Sequence, residues 1–169
     1  MPETRPRAAT NYRRRTEENL QIKLCNWIRR EFPSVIFVSD FAAGLNLTNT
    51  QRMRMVSMRS DDGQPDISID HPSRGFHGLR IELKAEGTAI YKRDGVTLRK
   101  SPYTRKYKRN GKIFIKRGDH LAEQAALLQR YNDLGYFARF AVGEEHAKKM
   151  INWYMDRPEQ IQLDLDPDF

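Results

Sequence analysis

Cysteine is nearly missing from this chain of 169 residues, with Cys25 alone. An internal disulfide and any C-x-x-C motif are therefore excluded. The four histidines (His71, His77, His120, His146) are scattered, so a structural zinc site is not expected either. Long apolar runs are also lacking: no stretch approaches the ~20 residues of a membrane-spanning helix. The opening residues, Met1-Pro2-Glu3-Thr4-Arg5-Pro6-Arg7, have no signal-peptide core. The expected setting is a reducing cytoplasm, away from membranes. Acidic charge is scarce in one place. Between Ile90 and Gly118, Asp94 is the single acid beside Lys92, Arg93, Arg99, Lys100, Arg105, Lys106, Lys108, Arg109, Lys112, Lys116 and Arg117. That segment carries +10, while the whole chain carries +8. Uniform basicity would suggest solubility alone, whereas this concentration suggests a contact surface for a polyanion, nucleic acid first. A charged, solvated insert is the competing reading.

What is present suits one domain with a genuine core, at 38% hydrophobic residues including two Trp and eight Phe. Residues 1–15 (with Arg5, Arg7, Arg13, Arg14 and Arg15) read as a disordered basic tail and 157–169 as an acidic C-terminal tail. A single domain of 16–156 lies between them, with a basic insertion at about 87–118. Thr16 is expected to cap a first helix ending near Phe32-Pro33. The mean direction of its apolar positions (Leu20, Leu24, Cys25, Trp27, Ile28, Phe32) coincides with Glu17 and not Glu18. An acid on a buried stripe could serve a site or simply favour the helix N-terminus. Val35-Ile36-Phe37-Val38 reads as a short buried strand. Thr48 or Asn49 could cap a helix through Arg59, with Met53, Val56 and Leu45 or Leu47 inward and Met55 and Met58 filling core.

The most informative local pattern is Pro65-Asp66-Ile67-Ser68-Ile69, a gap containing Pro72, Gly75 and Gly78, and then Leu79-Arg80-Ile81-Glu82-Leu83-Lys84. Both segments alternate with the period of a half-buried strand. Pairing them would gather Asp66, Glu82 and Lys84 on one face, two carboxylates and an ammonium. Such a set can hold a divalent cation against a phosphodiester and activate a water. A solvated strand face would read the same way. Within the insert, Asp94-Gly95 and Asn110-Gly111 are two type I′ hairpin signals, so a β-wing is expected. Lys and Arg alternate there with Tyr91, Tyr103 and Tyr107, which suits phosphate contacts with stacking. Asp119 can cap a helix from His120 to about Leu134, stopped by Gly135. A strand at 136–142 and a helix from Gly143 through Tyr154 close the domain. The order α, β, (α), β, β, insert, α, β, α reads as a mixed sheet flanked by helices.

The ordered set Glu17-Glu18-Asn19-Leu20-Gln21, Gly63-Gln64-Pro65-Asp66, Ile81-Glu82-Leu83-Lys84 and Gln124 resembles the VRR-NUC (virus-type replication-repair nuclease) branch of the PD-(D/E)xK nuclease superfamily. Leu134-Gly135-Tyr136 through Val142-Gly143, followed by a helix ending Trp153-Tyr154, is similar to that family's close. The resemblance covers roughly residues 16–155 without the insert. It departs from the family in the 35 or so residues between Lys84 and the Gln124 helix. It implies an α/β, restriction-endonuclease-like core (α-β-β-β-α-β-α) carrying a basic β-hairpin insertion. It also implies Asp66 and Glu82 as metal-binding carboxylates for Mg²⁺ or Mn²⁺, with the Leu83 carbonyl as a further ligand. Lys84 would orient the attacking water, Glu17 would join the site from the helix, and Gln124 would hold Lys84 or the scissile phosphate. The implied protein is a homodimeric endonuclease for branched DNA such as a four-way (Holliday) junction, serving repair or recombination. A phage origin would place it in the host cytoplasm. A sequence-specific enzyme or repair nickase on the same fold, and a non-catalytic nucleic-acid-binding protein, are the rivals.

Overall fold

The computed structural model describes residues 7–40, 48–58, 63–109 and 112–155, with the side chains of 7–15, Arg52, Val56 and 107–109 left aside. The expected tail at 157–169, Leu45, Leu47, Arg59 and the Asn110-Gly111 turn also lie outside the described residues. The chain runs α1 (Arg7–Glu31), β1 (Phe37–Ser39), α2 (Asn49–Ser57), β2 (Ile67–Ile69), β3 (Leu79–Lys84), β4 (Pro102–Arg109), β5 (Lys112–Asp119), α3 (His120–Asp133), β6 (Phe137–Val142) and α4 (Gly143–Tyr154).

The start of α1 corrects the sequence expectation. Residues 7–15 are its first turns and not a disordered tail, and Thr16 is interior to the helix. Pro6 precedes the first helical residue, and the Ala and Arg that follow rank among the better helix formers. Extending a helix that the core already holds adds a hydrogen bond per residue without a new nucleation step.

Four strands form a mixed sheet in the order β1-β2-β3-β6. β1, β2 and β3 pair antiparallel in sequence, with Ile67 opposite Ile81, and β3 pairs parallel to β6, with Glu82 opposite Phe140. The alternation of β3 separates two layers. Leu79, Ile81 and Leu83 pack with Leu24 and Ile28 of α1 and with Ala147, Ile151 and Tyr154 of α4. The opposite face of the sheet meets α3, where Leu121 and Leu128 cover Ala138 and Phe140. Arg80, Glu82 and Lys84 therefore lie in the layer beneath α3. Arg80 is buried there as a structural cation. It pairs with Asp70 at 2.8 Å, donates to the carbonyls of Ile69 and Leu79, and stacks 4.3 Å over the Tyr136 ring.

β1 is an edge strand and not a buried one: Ile36 and Val38 are 70% and 61% exposed. Residues 35–38 are apolar throughout, but only one face of an edge strand meets the core. In α2, Thr48 forms a capping box with Gln51: its hydroxyl accepts from the Gln51 N–H at 3.3 Å, and the Gln51 side chain accepts from the Thr48 N–H at 2.9 Å. Met53 and Met58, expected inside, are exposed, because no described element covers that side of this short helix.

The insert begins with a compact turn and ends in a two-stranded sheet. Around Asp94-Gly95, Gly95 donates to the Lys92 carbonyl (3.1 Å), and Lys92 donates to that of Thr97 (2.8 Å). Only Gly95 has positive φ in this turn, so the expected type I′ turn is replaced by a longer loop in which Asp94 accepts from the N–H groups of Val96 and Thr97. β4 and β5 then pair antiparallel from Pro102–Asp119 to Arg109–Lys112. β5 passes into α3 without an intervening loop, and Asp119 caps that helix by accepting from the Ala122 N–H. At the far end Gly135 (φ 84°) and Tyr136 donate to the carbonyls of Asn132 and Tyr131, a Schellman ending.

Gly78 marks the closest approach before β3. A Cβ there would lie 2.7 Å from the Ile69 carbonyl and 3.2 Å from Tyr136. Gly78→Ala should cost about 2 kcal/mol or more by overpacking against backbone. A denaturant midpoint unchanged from wild type would refute this.

Candidate functional site

Asp66 stands at the entrance to β2, where Gly63-Gln64-Pro65 delivers the chain onto the sheet. Its Oδ2 accepts from the Leu83 N–H at 2.7 Å, one step beyond the last Ile67–Ile81 rung. The backbone is held as firmly. The Asp66 carbonyl accepts from the Asp40 N–H (3.0 Å) and from Gln21 Nε2 (2.9 Å). The same Gln21 amide also reaches the Asp40 carbonyl and Ser39 Oγ, both at 2.8 Å. One side chain of α1 thus ties the ends of β1 and β2 behind Asp66. Gln21 follows Glu17 by four residues, on the same helix face. That spacing was the available signal for Gln21, although the sequence assigned it no role.

Glu82 is buried, with 6% of its surface exposed. It accepts from Lys84 Nζ at 2.9 Å and from Gln124 Nε2. Lys84 Nζ also donates to the Leu83 carbonyl at 3.1 Å and lies 5.8 Å from the Phe140 ring centroid. Gln124 therefore engages Glu82 through its Nε2, so that the amide NH₂ and the Lys84 ammonium both donate to the same carboxylate. Glu17 is half-buried and Glu18 exposed. Of the two, Glu17 contributes charge at both Asp66 and Glu82.

These surroundings raise both carboxyls. Burial, and then the charge of Glu82, push Asp66 from an ordinary 3.8 up to about 7, against the opposing Leu83 N–H and Lys84. Burial likewise raises Glu82, with Lys84 and Gln124 pulling the other way. Three acids face one ammonium, an excess of two negative charges when all are ionised. Among the described residues, no three His, Cys, Asp or Glu side chains stand close enough together to hold a metal by themselves. The hard oxygen donors linked by this hydrogen-bond network are the carboxylates of Asp66 and Glu82 and the Leu83 carbonyl. Their chemistry and uncompensated charge suit Mg²⁺ or Mn²⁺.

The basic residues of the insert divide. Arg105 and Lys116, opposite each other in the β4–β5 register, line a groove of about 420 Å³ together with Tyr103, His120, Gln124 and Arg130. Lys92 and Arg93 are exposed at the Asp94-Gly95 turn, Arg99 donates to the Tyr91 carbonyl at 3.0 Å, and Lys100, Lys106, Lys112 and Arg117 are exposed. The side chains of Lys108 and Arg109 are among those left aside. The sequence missed His120, which stacks on Tyr103 with ring centroids 4.2 Å apart. Burial, and then the charge of Arg105, hold its imidazole below the usual range. No local pattern signals this position, since it exists only where β4 returns to α3. No helix among the described residues is long and apolar enough to cross a membrane.

No protein-family model matches the chain, and no curated protein resembles it in sequence. Among solved structures, the fold is similar to one described as a VRR_NUC domain protein. The two share 20% identity over 83% of this chain and 88% of that one, with a TM-score of 0.50. At that identity the likeness is one of fold.

Proposed function

We propose that the protein is a Mg²⁺- or Mn²⁺-dependent endonuclease that hydrolyses phosphodiester bonds in DNA, with branched DNA such as a four-way junction as its preferred substrate. The observation that carries this reading is the part-buried, hydrogen-bonded chain Asp66–Leu83–Lys84–Glu82–Gln124, with both carboxyls raised. The name of the VRR_NUC neighbour supports it from outside the chain. Asp66, Glu82 and the Leu83 carbonyl would hold the cation, with Glu17 adding negative charge from α1. When bound, the ion supplies Lewis acidity and a water of lowered pKa. Lys84 presents a compact ammonium that donates to the attacking water or to a phosphoryl oxygen as negative charge develops. Gln124 sets the orientation of the Glu82 carboxylate, and Gln21 that of the Asp66 backbone. The working unit is taken as a homodimer, because resolving a four-way junction takes two opposed cuts.

The test is cleavage of labelled four-way junction, flap and linear duplex with Mn²⁺. Wild type should cut the junction best. Asp66→Ala should bind it and not cut it. Preference for linear duplex at a defined sequence would favour a restriction-type enzyme, and nicking of one strand a repair nickase. Binding of DNA without cleavage of any form would leave a nucleic-acid-binding protein and remove the enzyme.

A further inference from the structure

The groove beside Gln124 forms where the β4–β5 hairpin folds back against α3, the helix that follows it directly in sequence. Its wall on one side is the base of the β4–β5 hairpin, and on the other the first three turns of α3. Several contacts fix the hairpin there. Asp119 caps α3 and also accepts from the Ser101 N–H at 3.0 Å, while the His120 N–H donates to the Ser101 carbonyl at 2.9 Å. The Tyr103 hydroxyl donates to Glu123, at 2.8 and 3.0 Å from its two oxygens, and the Tyr103 ring stacks on His120. This latch crosses β5 at Gly118, where a Cβ would strike the Tyr103 hydroxyl at 2.7 Å. The groove therefore has a set geometry relative to the site, and Gln124 belongs to both: it lines the groove and donates to Glu82.

The lining is selective in charge. Arg105, Lys116 and Arg130 bring three cations, and the acid among the lining residues, Glu123, is engaged by Tyr103. Strand alternation puts Lys112 and Phe114 on the same face of β5 as Lys116, continuing the surface toward the hairpin tip. The other face pairs Thr104 with Arg117 and carries Ile113 and Ile115, which are 73% and 54% exposed. The volume lies within the ~300–1,000 Å³ of small-ligand pockets.

Resting on the nuclease reading above, we propose that this groove is a subsite for the strand flanking the scissile phosphate, with Arg105, Lys116 and Arg130 binding its backbone phosphates. Of the eleven basic residues in the insert, two thus act at the site, joined by one cation from α3 that charge clustering did not point to. Phosphate contacts fix register and carry little sequence information, so the subsite positions a strand and does not read it.

The experiment measures junction binding without divalent metal across a salt series, and steady-state cleavage with Mn²⁺. The variants are Arg105→Ala/Lys116→Ala and Arg130→Ala, with Arg29→Ala/Lys149→Ala as a control away from the groove that removes the same charge as the double variant and Arg29→Ala alone as that for Arg130→Ala. The groove variants should each raise Kd and KM about tenfold and lower the salt slope by about one for each phosphate no longer held, with kcat within about threefold. Both controls should stay within about twofold in Kd. Groove variants that bind no worse than their controls would overturn the subsite while leaving the nuclease reading intact. Groove-dependent binding by a wild type that cuts nothing would keep the groove as a phosphate-binding surface and remove the nuclease. A wild type that binds no DNA would remove both.

Discussion

Lys84→Met should lower DNA cleavage by about 10²–10⁴-fold, the usual contribution of a positioned proton donor or charge stabiliser, with the loss in kcat. Lys84 has the largest expected effect because of where its ammonium sits. It is the cation in direct contact with Glu82, and it spans from Oε1 to the Leu83 carbonyl. Its ammonium is a point donor on a flexible stem, whereas Arg is a planar fork. Lys84→Arg should therefore keep the charge, retain the fold and still lose most of the rate. That comparison separates chemistry from stability, since Lys84→Met leaves a buried carboxylate with its charge unpaired and will also destabilise the site. Circular dichroism and a melting curve on each variant give the check. Rates within about threefold of wild type for Lys84→Arg would mean that only charge matters at this position, and for Lys84→Met that Lys84 takes no part in the reaction. By contrast Gln124→Ala should cost about tenfold, as expected for an uncharged side chain whose hydrogen bond orients another group.

Asp66→Asn should make the metal-free protein more stable at pH 8 by an amount on the order of 2–4 kcal/mol, and give no gain near pH 4. The sign follows from the raised carboxyl. Folded Asp66 titrates near 7 and the ordinary group near 3.8. Between these values the folded chain holds a proton that the unfolded chain has released, so stability falls as pH rises through the interval. Below it both states are protonated and the penalty is absent; above it the penalty is complete. Glu82 adds in the same direction. Asn keeps an oxygen for the Leu83 N–H while removing the charge, so the difference between the two melting curves isolates ionisation. Saturating Mn²⁺ should raise the wild-type melting temperature at pH 8 by several degrees and that of Asp66→Asn by much less. A wild type that grows more stable relative to Asp66→Asn from pH 4 to pH 8 would contradict the burial argument.

Short-range regularities made much of this molecule legible. Period-two alternation put Arg80, Glu82 and Lys84 on one face of β3, and a helical wheel placed Glu17 nearer the buried stripe than Glu18, as their burial has it. Asp119 and Gly135 bounded α3 because a cap acceptor and a positive φ are local demands. Composition alone misjudged the first turns of α1, where Arg and Ala suit a solvated tail and an extended helix equally well. β1 and α2 were misjudged for a different reason, since an apolar residue is buried only if another element arrives to cover it.

What the sequence by itself determined is the direction each side chain takes from its own strand or helix, and hence that Glu82 and Lys84 share a face of β3. What only the tertiary structure decided is what meets that face. Arg80 became a structural cation beneath Tyr136, Gln124 went to Glu82, Gln21 clamped Asp66 from behind, and Arg105, Lys116, His120 and Arg130 became neighbours. The physical reason is that periodicity is set within a few residues by backbone geometry. These contacts depend instead on the pairing of β3 with β6 across an inserted hairpin and helix, and on where β5 hands the chain to α3.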